Sequence, residues 1–140
     1  MTLSAGRVRD IFENLASTET SSKFWARVAD DVHWTIVGST PMSGVDFLDA
    51  TIQVLGNSVL TEPLKIETLH VTVGAVEDKP GMTRAAVEMK SINAKARSGK
   101  PYDMTYCWIA TFDDKTELIR EVRAYIDTEL LIRTIKETTG

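Results

Sequence analysis

The stretch from residue 102 to residue 127 constrains the fold of this chain more than any other. It contains two runs rich in aromatic and β-branched residues, 102–112 and 118–127, separated by a polar segment. This pattern predicts a β-hairpin. Because side chains two apart share a face of a strand, the first arm gathers its large apolar residues on one face: Tyr102, Met104, Tyr106, Trp108, Ala110 and Phe112.

The second arm of this hairpin has one ionisable and aromatic face. That face carries Glu121, Arg123, Tyr125 and Asp127, and the alternate positions are mostly aliphatic. A charged row within a sheet is costly unless it serves a pocket or an interface. We therefore predict that this face of the last strand borders a functional site or an interface.

The periodicity of the remaining chain predicts an α+β domain. Helices precede a run of strands joined by turns, which favours a cone-shaped, curved antiparallel β-sheet packed against three N-terminal helices and enclosing an apolar pocket. Residues 128–136 either extend the last strand or form a closing helix, and we expect residues 1–140 to form a single domain. The predicted elements are helices at about 4–16, 22–29 and 43–59, and strands at about 32–37, 64–76 and 83–96, before the hairpin.

Charge and cysteine content restrict the partners and the location expected for the protein. The 140 residues include 16 basic and 20 acidic side chains, for a net charge of -4, and no basic face stands out. Nucleic acid is therefore not an expected partner. No apolar run is long enough to span a membrane, and the first residues lack a signal-peptide core, so we expect no membrane association. Cys107 is the only cysteine, which excludes an internal disulfide and favours a cytoplasmic location.

Four short segments resemble the SnoaL-like family of the nuclear transport factor 2-like superfamily, which also contains the ketosteroid isomerases. They are Ala-Asp-Asp-Val-His-Trp at 29–34, Gly-Ser-Thr-Pro-Met-Ser-Gly at 38–44, Gly-Lys-Pro-Tyr-Asp-Met-Thr-Tyr at 99–106, and Arg-Ala-Tyr-Ile-Asp-Thr at 123–128. The resemblance implies the same cone-shaped fold. It does not fix the function, because this superfamily includes isomerases, cyclases, hydrolases, dehydratases and non-catalytic binding modules.

The resemblance also suggests catalytic residues. Asp127 is similar in position to the final-strand aspartate that acts as acid and base in SnoaL-like polyketide cyclases. The aspartate base of ketosteroid isomerases has no counterpart at 35–37, and Arg123 with Asp127 supplies only part of the arrangement found in limonene epoxide hydrolases. The predicted catalytic residues are Asp127, with Tyr125 and His33 assisting.

We predict that aromatic and charged residues from several elements bind the substrate: Trp34, Trp25, Phe12, Tyr106, Trp108, Glu88 and Arg123. Each has a structural alternative. The aromatic residues are also typical of an ordinary core. Arg123 is equally compatible with a structural ion pair to Asp127 or Glu121, and Glu88 with a solvated stripe.

Three classes of function follow from these patterns. The first is a cofactor-independent cyclase or isomerase that uses acid–base chemistry on a small hydrophobic oxygenated molecule. The second is a non-catalytic binding protein, and the third is a dimerisation module. We expect no metal, because His33 and His70 lack a short ligand spacing. We expect a homodimer in any case, and the face of Tyr102, Met104, Tyr106 and Trp108 is its candidate interface if that face does not line the pocket.

Overall fold

The computed structural model of the chain describes residues 2–37, 44–45, 60–61 and 64–139. In these residues it contains three α-helices and six strands. The helices are α1 (Ala5–Phe12), followed directly by a 3-10 turn (Glu13–Ala16), α2 (Ser21–Trp25) and α3 (Thr128–Thr139). The strands are β1 (Val28–Ile36), β2 (Gly44–Val45), β3 (Ile66–Ala75), β4 (Met82–Ser91), β5 (Thr105–Asp113) and β6 (Ile119–Ile126).

The six strands form one curved, open sheet in the order β2-β1-β6-β5-β4-β3. Strands β3 to β6 make an antiparallel meander, as the turn signals predicted. Strand β1 pairs with β6 in parallel, so the sheet is mixed rather than wholly antiparallel. The chain passes from β1 to the opposite edge before it returns, and no hairpin forces β1 and β6 to be antiparallel. The α+β prediction is confirmed.

The two faces of the sheet have different compositions because of the strand register. One inner row runs through Val87, Trp108, Ala124 and Ile36, all of which are buried. We call the opposite side the outer face. Its three central rows are Glu88, Cys107 and Tyr125; Ala86, Ile109, Arg123 and Thr35; and Arg84, Thr111, Glu121 and His33.

Strict alternation would place Thr68 on the same face as His70, but it fails on β3. The pairing shifts between these residues, so that Thr68 is opposite Met89 while His70 is opposite Glu88. This β-bulge at Leu69 adds one residue to the strand and reverses the faces on either side of it. As a result Thr68 is buried on the inner face, and His70 is exposed.

The other boundaries differ modestly from the predicted ones. Strand β1 begins at Val28, within the region predicted as the second helix, and Gly44–Val45 pairs with β1 where a helix start was predicted. The rest of the predicted helix at 43–59 lies outside the described residues, apart from these two. Residues 128–139 form the closing helix rather than an extension of β6.

Side-chain contacts near both ends of helix α1 hold it against the sheet. The Ser4 hydroxyl caps its N-terminus by accepting a hydrogen bond from the Arg7 amide. The guanidinium of Arg7 binds the carboxylate of Glu117 in the β5–β6 turn, with an Nη2–Oε1 distance of 2.8 Å. Near the other end, Arg9 donates to the carbonyl oxygens of Thr68 and Leu69 at the bulge. These contacts hold the apolar side of α1 over the inner face.

Candidate functional site

An aromatic cluster occupies the inner face of the sheet, with Trp108 at its centre. The ring centroid of Trp108 lies 5.0 Å from that of Trp34, 5.9 Å from that of Tyr106 and 6.2 Å from that of Phe12. Trp25 joins the cluster through Trp34, at 5.9 Å. The structure therefore brings together five of the residues predicted to bind substrate. The same rings are part of the hydrophobic core, so their assembly alone does not indicate a site.

Three polar atoms in this interior have no hydrogen-bond partner among the described residues: Thr68 Oγ1, Tyr106 Oη and Trp108 Nε1. Their side chains belong to residues that are only 9%, 8% and 7% exposed. A buried polar group without a partner costs about 1–3 kcal/mol, and such groups are few in native proteins. All three belong to residues of the inner face of the sheet, and polar atoms of this kind are the ones that bound molecules or ordered water satisfy.

The interior is electrically neutral in the part of the chain that the structure describes. Its buried polar residues are threonines and a serine: Thr68, Thr83, Ser91 and Thr134. Burial raises the pKa of Tyr106 well above its usual value, and the neighbouring Tyr102 adds to this effect. Burial also raises the pKa of Tyr102, and the charge of Asp127 contributes second. Both phenols therefore remain protonated at neutral pH.

Other predicted site residues line an open groove of about 550 Å³. Its lining from the outer face includes Glu88, Tyr125 and Asp127, together with His70 and Cys107, and its lining from the inner row includes Met89, Tyr106 and Ile126. Side chains of one cross-strand row lie close together, and Glu88 is directly opposite Cys107, which is directly opposite Tyr125. Partial burial, and secondly the charge of Glu88, raise the pKa of the Cys107 thiol. Cys107 is therefore not an activated nucleophile.

Asp127 has a structural role at the junction of β6 and α3. Its Oδ1 accepts a hydrogen bond from the Leu130 amide at 3.0 Å, which caps the first turn of α3. The residue is exposed. The sequence indicated the strand end correctly but gave no sign of this cap, because residues 128–136 were compatible with either a strand or a helix.

His33 and Arg123 lie on the same outer face but not among the residues that line the groove. His33 is exposed and opposite Glu121, and Arg123 is opposite Ile109 and Thr35. Trp34, the neighbour of His33, faces the core. The predicted site residues are thus divided between two faces of one sheet. The aromatic residues lie inside, and the ionisable residues lie outside.

Thr68 is the residue of this region that sequence analysis missed. A period of two would place it on the same face as His70, and the bulge at Leu69 breaks that period. No turn residue or glycine in 66–72 signalled the bulge.

Neither a metal site nor a membrane span is found in the ranges that the structure describes. No group of three or more His, Cys, Asp or Glu side chains in them is placed to hold a metal ion. None of the described helices has the length and apolar character needed to cross a membrane.

The fold, a curved sheet with helices over one face, is that of the nuclear transport factor 2-like proteins. The chain is similar to the crystal structure of such a protein from Burkholderia thailandensis, with a TM-score of 0.62 and 13% identity over 96% of this chain and 98% of that one. It is also similar to the BvnE pinacolase from Penicillium brevicompactum, with a TM-score of 0.61 and 12% identity over 96% and 90% of the two chains. At these identities the likeness concerns the fold alone.

One curated relative is similar in sequence. The dimerizing cyclase phiC of a fungal species (strain ATCC 74256) is 27% identical over 128 residues, which cover 91% of this chain and 55% of that protein. The chain thus spans about half the length of this relative. No family model matches the chain.

Proposed function

We propose that this chain is a SnoaL-like domain that binds a small, hydrophobic, oxygenated molecule and acts on it as a cofactor-independent cyclase or isomerase. The observation that carries the proposal is the set of three unpartnered polar atoms in the aromatic interior. An apolar surface with a few placed polar groups is typical of small-molecule sites. The aromatic rings would hold the hydrocarbon part of the ligand, and the polar atoms would bind its oxygen atoms.

The comparisons support the enzymatic part of this proposal. The curated relative is named as a dimerizing cyclase, and one structural neighbour as a pinacolase. Both names describe rearrangement or ring-forming chemistry, which needs proton transfer and a positioned substrate. We further propose that residues 1–140 act as a single domain. The lone Cys107 supports a cytoplasmic, reducing location as part of the same proposal.

Asp127 is the proposed proton carrier, and Tyr125 its assistant. Asp127 lies where β6 ends, and its charge contributes to the raised pKa of the buried Tyr102. Asp127 and Tyr125 also line the same groove, and so does Tyr106 of the aromatic interior. The described hydrogen bond of the Asp127 side chain uses only Oδ1. The second carboxylate oxygen, Oδ2, would exchange the proton.

A non-catalytic ligand-binding domain is the second candidate, and one observation favours it. Asp127 is exposed and caps α3, and the described buried polar groups of the interior are all neutral. A domain that only binds needs no buried acid or base, whereas an acid–base enzyme needs a titratable group within reach of the ligand.

Ligand binding is the test of the shared part of both candidates. All three tryptophans of the chain, Trp25, Trp34 and Trp108, belong to the aromatic cluster, so their fluorescence reports on this interior. Native mass spectrometry of the purified protein should show a retained small molecule, and its removal should change the tryptophan emission. The proposal would be contradicted if the purified protein contains no bound molecule and its tryptophan emission does not change when an extract of hydrophobic metabolites is added.

We also propose that the protein forms a homodimer through the outer face. Tyr106 and Trp108 are buried in the monomer, which argues against the dimer face suggested for them in the sequence. On the outer face, the half-buried Ala86, Cys107 and Ile109 form a central strip. Charges of opposite sign flank this strip: Arg84 and Glu88 on β4, and Glu121 and Arg123 on β6. A two-fold axis would place such rows against each other with complementary charges.

The mass in solution tests this interface. Ile109→Lys would place a charge in the centre of the strip, and it should shift the species seen by analytical ultracentrifugation from dimer to monomer. Lys79→Glu, in the exposed β3–β4 turn, is the control and should leave the dimer unchanged. A monomeric wild type at micromolar concentration would rule out this interface.

A further inference from the structure

A second groove, of about 330 Å³, lies between helices α1 and α2, and the proposed function does not use it. It shares no lining residue with the groove that Asp127 lines. Residues three or four apart are neighbours on the surface of a helix, and this spacing produces both walls of the groove. The polar residues of the two walls are Arg7, Asp10 and Asn14 on one side, and Lys23 and Arg27 on the other.

The charge of this groove is opposite in sign to that of the whole protein. Three of its four ionisable lining side chains are cations, namely Arg7, Lys23 and Arg27, whereas the chain carries a net charge of -4. Lys23 is exposed, and no ion-pair partner for it occurs in the part of the chain that the structure describes. A concave surface lined mainly by cations attracts anions.

A carboxylate outside the groove holds two of these cations in place. Glu117 accepts hydrogen bonds from Nε and Nη2 of Arg7, and its Oε1 lies 3.5 Å from Nη1 of Arg27. Glu117 is not one of the lining residues, so it orients the two guanidinium groups without filling the groove. A guanidinium has five N–H donors, and these hydrogen bonds leave Nη1 of Arg7 available. Donors that are already oriented bind a ligand at a lower entropic cost.

The groove also contains hydrogen-bond acceptors, and it is larger than a single anion. Asn14 donates through Nδ2 to the carbonyl oxygens of Asp10 and Ile11, so its Oδ1 remains an acceptor, as does the carboxylate of Asp10. At about 30 Å³ per water molecule, the groove has space for about ten waters, and an inorganic phosphate has only five heavy atoms. The acceptors therefore suit hydroxyl groups that are attached to the anion.

We propose that the α1–α2 groove binds the phosphate group of a small hydroxylated ligand. The cations Arg7, Lys23 and Arg27 hold the phosphate oxygens, and Asp10 accepts a hydrogen bond from a hydroxyl group. Guanidinium and ammonium groups are common partners of phosphate. The tetrahedral phosphate dianion presents oxygens in several directions, so it matches three separate cations better than a planar carboxylate with one charge. This site is independent of the function proposed for the aromatic interior.

Phosphate compounds and their uncharged parents test the site. The probes are inorganic phosphate, glycerol 3-phosphate and glucose 6-phosphate, with glycerol and glucose as neutral controls, and binding to the full chain is measured by calorimetry at low salt. We expect at least one ester to bind about threefold or more tightly than inorganic phosphate, and neither neutral control to bind. Lys23→Gln should weaken ester binding about threefold. Lys79→Gln, at an exposed lysine in the β3–β4 turn, is the matched control and should leave binding unchanged.

A second variant should change affinity in the opposite direction, which a loss of folding would not do. Asp10→Asn removes the one carboxylate that lines the groove, so inorganic phosphate should bind about twofold more tightly than to the wild type. In nitrogen-15 NMR spectra, glycerol 3-phosphate should shift the Nε–Hε signals of Arg7 and Arg27 and leave that of Arg120, on β6, in place.

Three results would overturn the proposal: no binding of any phosphate compound at millimolar concentration, equal effects of Lys23→Gln and Lys79→Gln, or unshifted signals of Arg7 and Arg27. Equal binding of inorganic phosphate and both esters would overturn the assignment of a hydroxylated ligand and identify free phosphate as the ligand. None of these results bears on ligand binding in the aromatic interior, which tryptophan fluorescence tests separately.

Discussion

Tyr106 and Tyr125 lie on adjacent strands but on opposite faces of the same sheet. In the β5–β6 ladder Tyr106 is directly opposite Ile126, and Tyr125 is directly opposite Cys107, one residue away in register. Tyr106 is 8% exposed on the inner face, whereas Tyr125 is 43% exposed on the outer face. The one-residue difference in register thus separates a buried phenol without a partner from a solvated phenol, although both residues line the groove.

The hydroxyl of Tyr106 should cost stability in the ligand-free protein. Tyr106→Phe removes a buried oxygen that has no partner, so the free energy of unfolding should stay constant or rise by up to about 1 kcal/mol. Urea denaturation of ligand-free protein measures this change. Function at the expense of stability is expected of a binding site.

Thr83→Val is the matched comparison for a buried hydroxyl with partners. Thr83 Oγ1 accepts from the Leu3 amide and donates to Asp114, so its removal should destabilise the protein by about 1–3 kcal/mol. A loss of stability in Tyr106→Phe as large as that in Thr83→Val would mean that ordered water satisfies the phenol. The case for a ligand at that oxygen would then fail.

Asp127 combines a structural role with a proposed catalytic one, and two substitutions separate them. Asparagine is a good N-cap residue but is not able to carry a proton as a carboxylate does. Asp127→Asn should therefore keep the stability within about 0.5 kcal/mol and abolish turnover. Asp127→Ala should lose about 1 kcal/mol through the missing cap on the Leu130 amide. Thermal unfolding and an activity assay on the identified ligand measure the two effects.

Turnover that survives in Asp127→Asn would assign the acid–base role to another residue, or favour the non-catalytic candidate if the wild type is also inactive. Loss of both stability and turnover in Asp127→Asn would show that the cap, not the proton, accounts for the effect.

The sequence predicted which residues form strands better than it predicted which face of each strand lines the site. Alternation on β4 and β6 correctly separated Val87 from Glu88 and Val122 from Arg123, because these strands have no bulge near those residues. Strict alternation also puts Trp34 and His33 on opposite faces, and His33 is exposed whereas Trp34 is buried. Strand pairing determines which face the helices cover, and that depends on long-range contacts that periodicity does not contain. For this reason Tyr125 and Tyr106 were predicted for one site and lie on two faces.

The pairing of Arg7 with Glu117 should make stability depend on pH. Glu117 binds the guanidinium of Arg7, with Arg27 Nη1 at 3.5 Å, and these contacts lower the pKa of Glu117 below its ordinary value of 4.5. A lowered pKa in the folded state means that the ion pair stabilises the protein above pH 4.5. That stabilisation is lost as the pH falls through the folded-state pKa. Because both side chains are about one-third exposed, it amounts to about 1 kcal/mol or less.

Glu117→Gln should therefore be less stable than the wild type at pH 7, and the difference should shrink below pH 4.5. Glu129→Gln serves as the control, because the Glu129 side chain is 84% exposed in its pair with Arg133 and its loss should have little effect at any pH. Glu117 also has a positive φ of 57°, which is unfavourable for a side-chain-bearing residue. Glu117→Gly should recover part of the loss by relieving this backbone strain. If the stability difference between Glu117→Gln and the wild type does not change with pH, the ion-pair explanation is contradicted.

The thiol of Cys107 reports on the charge of the outer face. Burial and the nearby carboxylate of Glu88 raise its pKa, and the thiolate is the form that reacts. Glu88→Gln removes the negative charge and should lower this pKa, so iodoacetamide should alkylate Cys107 faster at pH 8. Glu67→Gln is the control on the same face, because Glu67 is paired with Lys90 and does not line the groove. Alkylation that is unchanged in Glu88→Gln would mean that burial alone sets the reactivity. If a second copy of the chain covers this face, the alkylation rate should fall as the protein concentration rises, in the wild type and in both variants.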